Sequence, residues 1–168
     1  MANKSAKKLG TSQRKQWLEI LAQGAIKSEA GNYRVLIDTN VWFSGILYGG
    51  KPEAVIRFCK QNYHIINSRY LIDELLSLLR EHKTPYKWRN ALEKLLNRMC
   101  VLVESSSLPE ISRDPKDDPV IATAMAGSCN YIITGDEDLL ILQNYKGISI
   151  ISVADFLNLA PVKKYSKQ

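Results

Sequence analysis

The chain has 168 residues, of which 45% are apolar and 24% charged, and a formal net charge of +6. That length suits one globular domain with a sizeable core, and no apolar run approaches the roughly 20 residues that span a bilayer. Three scattered cysteines (Cys59, Cys100, Cys129) and two separate histidines (His64, His82) lack zinc-ligand or disulfide spacing, so buried free thiols are expected.

In chain order, residues 1–12 read as disordered. Residues 13–28 read as an amphipathic helix with Trp17, Leu18, Leu21, Ala25 and Ile26 on one face. Lys4, Lys7, Lys8, Arg14, Lys15 and Lys27 against Glu19 and Glu29 leave residues 1–30 at +4. This segment lacks the apolar core of a secretory signal, and a cytoplasmic protein is expected. Gly31-Asn32 then breaks the chain. From Tyr33 onward, short apolar runs at 34–37, 63–66, 101–103, 130–133 and 148–151 read as strands. Helical patterns separate them, at 40–47, 52–61, 69–82, 86–99, 119–127, 137–143 and 152–159. Ser68, Asp118 before Pro119, and Ser152 are marked as helix starts. Lys163, Lys164 and Lys167 give residues 161–168 a charge of +3, which leaves the middle of the chain near neutral. Three segments follow: a basic extension at 1–30, a folded unit at 31–160 and a basic tail at 161–168. The basic ends suit either phosphate-binding arms or solubilising termini.

Strands without polar alternation, separated by helices, indicate an α/β fold in three layers, with a central parallel sheet of about five strands flanked by helices. Ligands in such folds sit outside the carboxyl ends of the strands. Acidic residues fall at or near those ends: Asp38, Glu74, the Asp114/Asp117/Asp118 cluster and Asp136. Buried carboxylates are costly without a cation, and Mg²⁺ and Mn²⁺ favour such oxygen ligands. Bound there, either ion would reverse the local charge that otherwise repels a phosphodiester. Each acid also has a plainer role. Asp38, Asp117, Asp118 and Asp136 each suit helix capping, and Glu74 suits an exposed helix face.

The ordered set Leu36-Ile37-Asp38-Thr39-Asn40-Val41, Ser68 to Leu75, Asp114 to Ala124 and Tyr131 to Leu140 resembles the PIN-domain nucleases. Within them it resembles the VapC-like toxins of toxin–antitoxin pairs. Ile150 to Leu157 is similar to the family's last strand and helix. The resemblance spans about three quarters of the chain and leaves out the first 30 residues. It implies a Rossmann-like sheet and a divalent-metal ribonuclease using Mg²⁺ or Mn²⁺. The family's acids fall on Asp38, Glu74, Asp117 and Asp136, the third by counting back from Ala122-Thr123-Ala124. Asp118 becomes a cap and auxiliary ligand, and Thr134 and Asn40 support the acids or nearby water. Asp73, Asp114 and Asp138 are expected as flanking charges. RNA hydrolysis by water would leave 5′-phosphate and 3′-hydroxyl ends. A homodimer and an inhibiting antitoxin also follow from the resemblance, and the lack of a bilayer-length apolar run adds the expectation of no membrane association. Arg34, Lys51, Arg69, Arg113 and the basic tails are candidate contacts for the RNA strand.

Two rivals keep the fold. One is a catalytically silent module that binds RNA or protein; the other is a housekeeping RNA-processing nuclease. Intact acids at all four positions argue against the first. An aspartate phosphatase would place a second Asp where Asn40 stands. A receiver domain would place its paired acids early, whereas Asp117-Asp118 come late.

Overall fold

The computed structural model describes residues 10–22, 32–104 and 118–159. The expectations for residues 1–9, 23–31, 105–117 and 160–168 lie outside them, including most of the disordered start, the end of the first helix and the basic tail. α1 (Thr11–Ala22) precedes β1 (Arg34–Ile37), α2 (Thr39–Tyr48) and α3 (Gly50–Asn62). Then come β2 (His64–Asn67), α4 (Arg69–Glu81), α5 (Tyr86–Met99) and β3 (Val101–Leu102). The chain closes with α6 (Asp118–Ala126), β4 (Tyr131–Ile133), α7 (Glu137–Leu140), β5 (Asn144–Tyr145), β6 (Ile148–Ile151) and α8 (Val153–Leu157).

Among the described residues the strands form one sheet, ordered β3-β2-β1-β4-β6-β5. Parallel pairing aligns Leu36 with Ile66 on one side and with Ile132 on the other, and Ile132 with Ile150. These residues need no polar alternation because helices cover both faces. Val35, Ile37, Ile65 and Ile133 point into one core cluster, and Leu36, Ile66, Ile132 and Ile150 into the other.

The expected central parallel sheet of about five strands is present as β3, β2, β1, β4 and β6, and one strand is added to it. β5 is a sixth strand and runs antiparallel to β6, with Tyr145 opposite Ile148. The intervening Lys146 and Gly147 both have positive φ, +46° and +85°, as a two-residue type I′ hairpin requires. The chain therefore leaves the helix expected over 137–143 at Leu140 and needs Gln143 at φ +55° to enter β5. At the other end, α1 begins at Thr11, inside the stretch expected to be disordered.

Trp17 and Leu21 of α1 are buried in the larger core cluster. The helix is fastened at both ends of its inner face. Trp88 of α5 donates its indole N–H to the Arg14 carbonyl at 3.0 Å, and Lys60 of α3 donates to the Ile20 carbonyl at 2.6 Å. All three cysteines are free and buried, as expected. Burial pushes the Cys100 and Cys129 thiols up to about 12, which keeps them protonated and unreactive. No described helix is long and apolar enough to cross a membrane.

Candidate active site

β1 sits between β2 and β4, yet the chain visits β2 and β3 before crossing to β4. The strand order therefore reverses between β1 and β4, and such a reversal opens a crevice at the carboxyl ends of the two strands. Asp38 follows β1 at this point, and Thr134 and Asp136 follow β4.

Asp38 is pinned by its backbone. Its amide donates to the Ile133 carbonyl at 2.9 Å, and its carbonyl accepts from the Val41 and Trp42 amides. It occupies the N-cap position of α2, but its side chain makes no capping bond. Oδ2 instead accepts from the Thr134 hydroxyl at 2.7 Å, and the residue is only 6% exposed. Burial raises its carboxyl above the ordinary range. The Thr134 hydroxyl and the Thr39 amide partly offset this, and the charges of Glu74 and Asp136 push it up again. A buried carboxylate that feels the charge of other acids is stabilised by a cation.

Thr134 is fully buried and joins two acid-bearing positions. Its Oγ1 donates to Asp38 and accepts from the Asp136 amide at 3.0 Å. Its own amide extends the ladder to Ile151 at 3.1 Å. Asp136 is half-buried and does cap α7, accepting from the Asp138 amide through Oδ1 at 2.8 Å.

Glu74 lies half-buried on α4, whose Leu71, Ile72, Leu75 and Leu79 are buried. Ser68 caps this helix by accepting from the Leu71 amide at 3.4 Å. A buried polar tether links this start to α6. Thr123 Oγ1 bonds the Pro119 carbonyl at 2.6 Å and the Ser68 hydroxyl at 3.1 Å. Thr123 was legible only as a register mark in Ala-Thr-Ala. A lone hydroxyl on an apolar helix was the signal for this tether, since buried hydroxyls need partners.

Asp38, Glu74 and Asp136 thus share one electrostatic environment. Asp117 lies outside the described residues, as does Asp114, and Asp118 opens α6. Among the described residues no three acids, histidines or cysteines stand close enough to enclose an ion by themselves. Asn40 is exposed on the first turn of α2. Asp73 is an exposed flanking charge, as expected, paired with Arg69 at 2.7 Å.

One expected RNA contact is corrected by its position, and a second is ion-paired on the surface. Arg34 sits at the opposite, amino-terminal edge of the sheet, where its guanidinium donates to the Gly127 carbonyl. Arg69 is already paired with both Asp73 and Glu93. Lys51 is exposed at the start of α3, and Arg113 lies outside the described residues.

The sequence profile of the PIN domain matches residues 34–138, from β1 to α7. No curated protein matches. Among solved structures, the crystal structure of PAE2754 from Pyrobaculum aerophilum is similar with a TM-score of 0.49 at 18% identity. That alignment covers 88% of this chain and 95% of that one.

Proposed function

The chain belongs to the PIN-domain family, a nuclease-type fold, and from that premise we propose that it is a divalent-metal-dependent endoribonuclease. One observation carries this reading: a buried carboxylate, Asp38, stands at the strand-order reversal with its pKa raised and two further acids acting on it.

The donor set fits Mg²⁺ or Mn²⁺, because it consists of carboxylate and hydroxyl oxygens without thiolate or imidazole. Asp38, Glu74, Asp117 and Asp136 would hold the ion, with Asp118 as an auxiliary ligand. When bound, the ion supplies Lewis acidity toward the phosphodiester and lowers the pKa of water. The chain's own residues prepare the site. Thr134 fixes the rotamer of Asp38 and the backbone of Asp136 through one hydroxyl. The Ser68–Thr123 hydrogen bond ties the start of α4, the helix that carries Glu74, to the middle of α6, the helix that follows Asp117. With a cation in place, the crevice changes from repelling a phosphodiester to attracting it.

The folded nuclease unit would be residues 31–160, flanked by the basic segments 1–30 and 161–168. The resemblance to VapC-like proteins supports reading the enzyme as a cytoplasmic, homodimeric toxin restrained by an antitoxin. Asn40 would orient water beside Asp38.

Incubating the purified protein with labelled RNA tests the activity. Cleavage should require Mn²⁺ or Mg²⁺, stop on chelation and leave 5′-phosphate ends. Asp38→Asn should lower cleavage at least about a thousand-fold, since several kcal/mol of charge stabilisation depend on the ion. Parental cleavage by that variant, or cleavage that survives chelation, would refute the proposal.

A further inference from the structure

We propose that Tyr70 is the platform on which an unpaired RNA base stacks beside the acidic crevice. This deepens the ribonuclease reading and rests on it.

The faces of α4 place the residue. Leu71, Ile72, Leu75 and Leu79 are buried. Asp73, Leu76 and Arg80 line the groove against α5, and Arg69 reaches across it to Glu93 at 2.6 Å. Tyr70 stands on the outward face between that groove, which Ser77 also lines, and Glu74, since residues four apart on a helix lie about 40° apart in projection. The Glu74 side of α4 is the crevice side: the helix starts at the carboxyl end of β2, beside the strand that ends in Asp38, and the Glu74 charge acts on Asp38. Tyr70 stands one turn nearer the start of α4 than Glu74. That start follows β2 directly, at the carboxyl edge of the sheet.

Tyr70 is 59% exposed. A neutral aromatic ring at the rim of an acidic crevice carries no charge for a phosphate, and its one hydroxyl donor is what Tyr70→Phe removes. The nearest guanidinium on this helix, Arg69, is turned to the other flank and doubly paired. What the ring does offer is a flat apolar face of nucleobase size. Stacking of this kind tolerates sequence variation but requires an unpaired base, because a duplex hides the base faces. On single-stranded or looped RNA, one base flanking the scissile phosphate would splay onto Tyr70.

The test compares the parent, Tyr70→Ala and Tyr70→Phe on a single-stranded RNA and on the same strand carrying one abasic nucleotide near the cut. With Mn²⁺, Tyr70→Ala should raise KM about ten-fold or more, with kcat nearly unchanged. Tyr70→Phe should restore the parental KM. At one position, the abasic nucleotide should impose the same KM rise on the parent and no further rise on Tyr70→Ala. A parental KM for Tyr70→Ala overturns the proposal, and so does an abasic penalty that persists in full in that variant. If the parent cleaves no RNA, the ribonuclease reading has failed instead. Anisotropy of labelled single-stranded RNA on the full chain then decides the stacking: a weaker Tyr70→Ala complex supports it and equal affinity overturns it. RNA affinity intact with binding to a protein partner lost would make Tyr70 a protein contact and likewise overturn it.

Discussion

The two edges of the parallel sheet are furnished differently by the same strands. Where β1, β2 and β4 begin, Tyr33, Tyr63 and Tyr131 gather, with centroids 5.4–6.4 Å apart and Tyr63 stacked on Tyr131 at 7°. Phe156 is fully buried against this group, 6.1 Å from Tyr63 and 6.0 Å from Tyr131. Polar atoms there are satisfied: Asn130 Oδ1 accepts from the Arg34 amide at 2.8 Å, and the Arg34 carbonyl accepts from the Asn130 amide at 2.7 Å. Burial pushes the Tyr63 hydroxyl up to about 12, so that ring stays uncharged near neutral pH. Where the strands end, Asp38, Asn67, Ser68 and Thr134 are buried instead. One edge is built for packing. The other retains a charge that packing alone would remove, which is a common sign of a site maintained at the expense of stability.

The sharpest way to break this contrast is at the aromatic edge. Phe156→Ala should cost about 3–5 kcal/mol of stability, as for other buried aromatics. Its kcat, measured well below the melting temperature, should match the parent. A large fall in kcat would mean that the aromatic edge shapes the site.

At the acidic edge the expectation inverts. Thr134→Val keeps the volume but removes the donor to Asp38 and the acceptor for the Asp136 amide. RNA cleavage or Mn²⁺ affinity should fall about 10- to 100-fold, as when groups that orient ligands are lost. The fold should survive a destabilisation of about 1–3 kcal/mol from the two unpaired groups. Parental activity in this variant would leave Asp38 correctly held without its hydroxyl partner.

The sequence discloses the two edges unequally. Strands such as 34–37 and 148–151 were legible because burial on both faces removes polar alternation. The acids stood out because each interrupts or ends an apolar stretch. The strand order was not legible, since pairing β4 with β1 joins residues about 96 apart, and local patterns carry no such information. The β5 hairpin was missed because Lys146-Gly147 lacks the Asn or Asp usual at such turns. The capping role foreseen for Asp38 was half right: the backbone takes the cap position while the carboxylate turns to Thr134, a choice made by β4 and not by the neighbours of Asp38. Arg34 looked like a phosphate contact because sequence does not say which edge a strand residue faces.

The smallest effect tests the claimed cost of the acidic edge directly. The Asp38 carboxyl is raised in the folded chain, chiefly by burial. The folded state therefore keeps its proton to a higher pH than the unfolded chain does, and stability falls as pH rises between the two values. Above that window the ionised Asp38 is a constant burden. Asp38→Asn preserves an oxygen that accepts from Thr134 while removing the charge. In chelator near pH 8 the variant should be more stable than the parent, by an amount on the order of 1 kcal/mol. The advantage should shrink as pH falls through the raised Asp38 value towards about 4, the ordinary carboxylate range. Mn²⁺ should reverse the ranking by raising the parent's melting temperature and leaving the variant's almost unmoved, because only a ligand that binds the folded state shifts unfolding. Melting curves of both proteins at pH 5 and pH 8, with chelator and with Mn²⁺, read all four conditions. A variant less stable than the parent in chelator at pH 8 would mean that the Asp38 charge is satisfied by the fold itself, and the crevice would then have no electrostatic need for an ion.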